Sequence, residues 1–216
     1  MKNLKITLHL ATAVSIQKNK GAFDSILAVL YFNDLKNKGE FNGDYTQDLP
    51  FLQKSECGVY HTSFGVFDGV KYYEKEALIK TFDHDMYARF GVIKQQNGVP
   101  VGIKNTQTGK LKNALYDHEK FGMDKVTYYV RGDLEKIKLL LTKLRYLGKK
   151  TSLGWGKIDK IAIEETDRDL SIIKGGQLMR NLPVKNSFGI SGDKVGLFRL
   201  MHPYWKKEEL QECILP

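Results

Sequence analysis

Residues 4 to 10 alternate: Leu4, Ile6, Leu8 and Leu10 are apolar at every second position, and Lys5, Thr7 and His9 stand between them. Successive side chains of a strand point to opposite faces, so this pattern requires a strand with one buried face and one polar face. Further on the period changes. In "FDSILAVLYFNDLKNKG" Phe23, Ile26, Leu27, Leu30 and Tyr31 recur at helical spacing, and Gly39 follows a basic last turn as a stop signal. The same switch recurs later. "KVTYYVRG" reads as a strand, Asp133 as an N-cap, and Leu134, Ile137, Leu140, Leu141, Leu144 and Leu147 as one helical face that runs until Gly148. A half-buried strand that is twice handed on to a helix with an apolar stripe points to helices covering one side of a sheet.

The remaining patterns fill in that sheet. "CGVYHTSFGVF" sets Val59, His61 and Ser63 against Tyr60, Thr62 and Phe64 and reads as a second strand, residues 70 to 93 as further strand, and "KIDKIAIEE" as a last one carrying Ile158, Ile161 and Ile163. From about Gln95 to Asp124 the chain is polar and rich in Gly, Asn and Lys, with turn signals in "QQNGVP", "NTQTGK" and "DHEKFGMDK". A stretch of this kind reads as an inserted lobe or hairpin. With it set aside, the order is strand, helix, strand, strand, helix, strand. That is the order of an α+β, ferredoxin-like (RRM-like) unit, in which an antiparallel sheet carries two helices on one face and leaves the other free to bind. The expected organisation is such a domain over residues 1–165, with the basic insertion at about 95–124, and a β-rich C-terminal extension over 166–216 packed on it.

Composition narrows the class. The chain has 216 residues, 42% hydrophobic and 27% charged, enough to bury a core in an ordinary soluble protein. No apolar run approaches the ~20 residues that cross a bilayer, and the first residues alternate like a strand instead of forming a secretion signal, so the expectation is a cytoplasmic protein with no membrane partner. Cys57 and Cys213 are far apart and lack CxxC spacing, which argues against a disulfide framework or a zinc site of that kind and for small buried hydrophobes or free thiols. The net charge of +9 is regional: between Lys104 and Lys160 fourteen Lys or Arg face six Asp or Glu. Such a block of positive potential suits a polyanion, nucleic acid above all, although a lysine-rich surface also serves solubility.

The segment "LRYLGKKTSLGWGKI" lies within this block, between the second helix and the last strand. Gly148, Gly154 and Gly156 imply a backbone that bends sharply or is closely approached. Arg145 precedes the first of them, Lys149 and Lys150 follow it, and Ser152, Trp155 and Lys157 complete the loop. Backbone amides and ammonium groups of such a loop can hold phosphates, while Trp155 either stacks on an unpaired base or packs over the helix end. Arg131, at the end of a strand before Gly132, contacts RNA or a partner or solvates that end. Lys174 and Arg180 flank "GGQLMR", whose glycine pair brings backbone to RNA or turns the chain.

These residues carry a resemblance. A glycine-rich loop between the second helix and last strand, resting on Gly148, Gly154 and Gly156, resembles the signature of the RAMP superfamily of CRISPR-associated proteins. The opening "ITLHLATAVSI" running into "FDSILAVLYF", the middle "GVYHTSFGVF", the stretch "YYVRGDLEKIKLLLTKLRYLGKKTSLGWGKI" and the tail "CILP" are similar to the Cas-five-type subunit of type IV systems. The loop, GxxxxxGxG, is shorter and richer in lysine than in many relatives. The resemblance implies a non-catalytic subunit of a guide-RNA surveillance complex that grips the 5′ handle of the crRNA, contacts the backbone and large subunits, and helps shape the site where target DNA enters. Splayed bases and phosphates of a single-stranded handle are what stacking and lysines recognise. On this reading Arg131, Arg145, Lys149, Lys150, Ser152, Trp155, Lys157, Lys174, Arg180 and His61, with the loop glycines, are the RNA-facing residues.

Catalysis is the rival expectation. Some members of that superfamily cut repeat RNA without metal, using a histidine or tyrosine as general acid or base, and His61 beside Tyr60 is the leading candidate. Alternation along a strand would send these two side chains to opposite faces, so they would not cooperate. Asp83, His84 and Asp85 are metal-capable but have no second histidine motif, and His9 and His118 have no evident partner. Neither a GxxxxGK[ST] phosphate loop nor a GxSxG elbow occurs. The expectation is a protein with no catalytic residues, metal or cofactor. A protein-interaction scaffold with merely solubilising lysines is the third alternative.

Overall fold

In the computed structural model, which describes residues 1–16, 22–80, 94–96, 99–101, 114–186, 194–204 and 210–216, the alternating segment is strand β1 (Lys2–Leu10) and the first helical pattern is α1 (Phe23–Lys38). They are followed by β2 (Val66–Lys80), short β3 (Lys94–Gln96) and β4 (Val99–Val101), long β5 (Ala114–Gly132), α2 (Leu134–Leu141) and β6 (Ile158–Glu165). The remainder holds β7 (Ile173–Lys174), β8 (Gln177–Leu178), β9 (Leu182–Pro183), β10 (Val195–Phe198) and β11 (Gln211–Ile214). The described residues thus form an α+β protein of antiparallel sheets and two α-helices. None of these helices is long and apolar enough to cross a membrane.

The principal sheet has four strands in the order β2-β5-β1-β6. β1 is central because both of its edges find antiparallel partners. Leu4, Ile6 and Leu8 stand opposite Val130, Tyr128 and Val126 of β5 on one side, and opposite Glu165, Ile163 and Ile161 of β6 on the other. The apolar half of the alternation is buried as the period requires, against Phe23 and Leu27 of α1 and Ile137, Leu140 and Leu141 of α2. Phe23 stacks on Tyr128 with ring centroids 4.4 Å apart. Each fully buried side chain of this size contributes roughly 2 kcal/mol of apolar transfer free energy. α1 ends at Gly39, which takes a left-handed conformation, and α2 begins at Asp133, whose carboxylate accepts from the Lys136 amide at 3.0 Å.

Three elements depart from the sequence reading. Residues 59–64 form isolated bridges instead of a ladder strand, and the second strand starts at Val66. The amides of this segment serve three different neighbours, His61 to Gln53, Ser63 to Tyr129 and Phe64 to Met179, and Thr62 folds back onto the Tyr60 carbonyl. β5 begins at Ala114, so "DHEKFGMDK" is strand where turn signals were expected; the rest of the polar stretch, apart from 95–96 and 99–101, lies outside the described residues. Finally, α2 stops at Leu141 and not at Gly148, because the chain beyond it leaves the helix to pair with residues 156–158.

The chain divides into two compact units, one of Met1–Tyr72 with Phe121–Pro216 and one of Tyr73–Lys120. In the second, the Lys120 ammonium lies between Glu76 (2.6 Å) and Glu74 (3.2 Å). In the first, β10-β11-β9 make a small separate sheet over a second apolar cluster of Val59, Leu178, Leu182, Leu200, Cys213 and Ile214. Both cysteines are free, Cys213 buried and Cys57 half-buried. Residues 83–85 lie outside the described residues.

Candidate nucleic-acid interface

The loop from Thr142 to Lys157 is built as two limbs joined by backbone bonds. Leu147 donates to Gly156 (2.8 Å) and Ile158 to Arg145 (3.0 Å), while Leu147 itself plugs into the core at 2% exposure. Lys143, at the start of the loop, reaches back to Asp34 of α1 at 2.5 Å; Lys38 (3.1 Å) and Lys136 (3.7 Å) share the same carboxylate. The Lys143 hydrogen bond, then that of Lys38, hold the Asp34 carboxyl down at about 2 against the opposing effect of burial.

What approaches the glycines is the protein's own chain. Gly148 (φ +86°) lies so close to the segment after β1 that a β-carbon would stand 2.3 Å from the Ser15 carbonyl oxygen. Gly156 (φ +67°) has a similar relation to Leu147 and donates to Ala13 at 2.7 Å. Lys149 donates to Ser15 at 2.8 Å, and the Lys157 amide to Thr12 Oγ1 at 2.9 Å. The amides of Leu147, Lys149, Leu153, Gly154, Gly156 and Lys157 are therefore all used internally. This corrects the expectation that the loop's backbone would hold phosphates as far as these six amides are concerned. Trp155 is 9% exposed, seated inside the loop, so it presents no open face on which a base could stack.

Arg145, Lys149, Ser152 and Lys157 are exposed and Lys150 half-buried. Among the described residues no carboxylate lies within ion-pair distance of Arg145, Lys149 or Lys157. Lys150 takes the left-handed conformation at φ 60°, and Leu153 donates to its carbonyl, so the bend between the cations is fixed by the backbone. Rigid presentation matters because an ordered loop loses less conformational entropy when it binds.

The other expected site residues lie elsewhere. Arg131 pairs in register with Asn3, at the far end of β1 from Ser15 and Lys149. From Asn3 to Leu10 the strand alone separates these ends by roughly 23 Å at ~3.3 Å per residue. Arg131 donates through its amide to the His61 carbonyl, and His61 Nδ1 is 2.6 Å from Asp169 Oδ2. Burial raises the Asp169 carboxyl, but hydrogen bonds from His61 and Ser171 more than offset this and bring it to about 2. Tyr60 faces away from His61, buried, with its hydroxyl donating to Asp48 and accepting from the Leu49 amide. Lys174 lies 4.6 Å above the Tyr129 ring and donates to its hydroxyl at 2.6 Å. Gly175 and Gly176 both have positive φ and turn the β7–β8 hairpin.

Arg180 overturns its sequence expectation outright. It is 2% exposed, and its guanidinium donates to the carbonyls of Tyr60 and Leu200 and to Thr62 Oγ1. Tyr204, which also accepts from Arg180, donates to the fully buried Asp24, and so does Thr62. A positive charge with that many internal acceptors is a structural tie, unavailable to RNA. Nothing in the local sequence signals it, although Asp24 in the first turn of an apolar helix is a buried carboxylate in need of a partner. Among the described residues no three His, Cys, Asp or Glu side chains converge to hold a metal ion.

Comparison with known families decides the assignment. The family model described as "CRISPR type IV associated protein Csf3" matches residues 2–216, from β1 through β11. The chain belongs to the Csf3 family. The resemblance to a type IV CRISPR-associated subunit is thereby borne out over nearly the whole chain. A search of curated proteins returns no match. Membership of the Csf3 family makes partnership with other components of a type IV complex part of this protein's setting.

Proposed function

We propose that this Csf3-family chain is a non-catalytic subunit of a type IV effector complex that grips the 5′ handle of the crRNA and contacts the backbone and large subunits near where target DNA enters. The observation that carries this reading is the set of exposed cations Arg145, Lys149 and Lys157 on a loop whose backbone is locked by Gly148, Lys150 and Gly156. Side-chain ammonium and guanidinium groups, not backbone amides, meet the phosphates. The order β2-β5-β1-β6, with both helices' buried residues in the core under β1, supports the ferredoxin-like reading and with it RAMP membership. On that reading residues 1–165 are the RNA-binding domain with its insertion, and 166–216 an extension.

The test is to purify the chain with its type IV partners and digest the sample with nuclease. A protected 5′ handle is expected, and Lys149→Glu with Lys157→Glu should remove the protection while leaving subunit assembly intact. If assembly proceeds with no protected RNA in the unaltered protein, the chain is a scaffold and the reading fails.

A second reading rests on the His61–Asp169 pair, since a carboxylate on Nδ1 orients an imidazole for general base chemistry. It predicts cleavage of repeat RNA in chelator that is lost on His61→Ala. RNA that stays intact after prolonged incubation rejects it.

A further inference from the structure

Among the described residues β6 is the last strand of its sheet, and past Ile158 its outer edge has no strand partner. Thr166 donates to the Asn3 carbonyl at 2.9 Å, which makes these two residues a hydrogen-bonded pair of the β1–β6 ladder. Hydrogen-bonded and non-bonded pairs alternate along an antiparallel ladder, so Ile161 and Ile163, opposite Leu8 and Ile6, turn their N–H and C=O groups away from β1. Nearer the start of β6 the outer edge is occupied: Ile158 donates to Arg145 and Leu147 to Gly156. At Thr142 and Lys143 the chain departs from this edge into α2, and the pairing stops.

The early end of α2 has a second effect. Between the helix end and β6 lies a groove of about 350 Å³ whose apolar walls are Leu141, Leu144, Ile161 and Ile163. Lys138, Arg145 and Lys160 stand around it, against a single carboxylate, Asp159. Lys138 has an exposed bond to Glu135, and no carboxylate of a described residue pairs with Arg145 or Lys160. The acidic end of the same strand is neutralised on its β1 side, where Glu164 and Glu165 are each 2.9 Å from Lys5 and Lys2.

We infer that this edge docks an extended segment of a protein partner in which apolar and acidic residues alternate, added to the sheet beyond β6. A strand edge offers donors and acceptors in turn at the spacing of a peptide backbone, which another peptide segment matches and an RNA backbone, whose one donor is the ribose 2′-OH, does not. Alternation turns the apolar side chains of the added segment into the groove beside Ile161 and Ile163 and its carboxylates to the opposite face of the sheet, where Lys160 stands across from His9. The inference goes beyond RNA gripping and does not depend on it.

The test uses the full chain and three probes: a short peptide of alternating Glu and Val, the same peptide with Lys for Glu, and a single-stranded RNA oligonucleotide. The Glu/Val peptide should bind saturably and slow hydrogen exchange at the Ile161 and Ile163 amides. Lys160→Glu, at a surface position, should weaken that binding about tenfold while the melting temperature holds. Ile161→Pro, which deletes an outward amide without touching the β1 ladder, should abolish protection at Ile163. Equal binding of the two peptides, unprotected edge amides, or protection of those amides by RNA instead would each overturn the inference.

Discussion

A β-carbon on Gly156 would stand 1.9 Å from the carbonyl oxygen of Leu147. Gly154, two residues earlier, has φ +80° but open space around the same position. Gly156→Ala therefore has to displace backbone as well as accept an unfavourable φ, and should cost about 3 kcal/mol or more. Gly154→Ala carries only the φ penalty, about 1 kcal/mol. Urea denaturation of the two variants measures the difference; equal costs would contradict the packing of the loop on itself.

Asp34 links stability to pH. Its carboxyl is held at about 2 in the folded protein and returns to an ordinary value near 3.8 when unfolded. A depressed folded value means that the stabilisation is fully present above ~4 and is lost as pH falls towards ~2. Asp34→Asn should flatten this part of the acid unfolding profile and cost about 1 to 2 kcal/mol at neutral pH, discounted because the lysines it releases regain water. Thermal melts between pH 2 and 7, in both proteins, check the sign.

Arg180 and Asp24 form the charged ends of one buried network through Tyr204 and Thr62. Arg180→Met leaves the carboxylate without its compensating charge and should cost about 3 to 5 kcal/mol. Adding Asp24→Asn should recover part of that loss, because the two residues share partners and their effects are not additive. A double-mutant cycle with no coupling energy would refute the network.

If Arg145, Lys149 and Lys157 each neutralise a phosphate, every single substitution to Ala should lower the slope of log affinity against log salt by about 0.7 for a single strand. Trp155→Ala should leave that slope unchanged, since the ring lies inside the loop. Titrations of handle RNA at several salt concentrations give the slopes.

β1, α1 and β6 are legible in the sequence because their periods are local and each has a face that must be buried. The end of α2 is not. Leu144 and Leu147 continue its stripe, but the termination is decided by residues 156–158, with which the chain beyond Leu141 pairs. The glycines show a similar division. That backbone approaches Gly148 and Gly156 closely is readable from residue type, whereas the approaching groups, the Ser15 and Leu147 carbonyls, are set by the fold. Arg180 is misread for the same reason: its acceptors lie at Tyr60, Thr62, Leu200 and Tyr204, and only tertiary structure gathers them.

The central place of β1 has a consequence for synthesis. Lys5 leaves the ribosome 159 residues before Glu164, its salt-bridge partner across the β1–β6 ladder, and β5 also follows only after α1 and β2. A nascent chain must therefore keep Leu4, Ile6 and Leu8 from other strands through most of translation, and the sheet closes late and nearly at once. Ribosome-stalled chains that end before Ile158 should remain open to protease, and those that expose Glu165 beyond the exit tunnel should resist it.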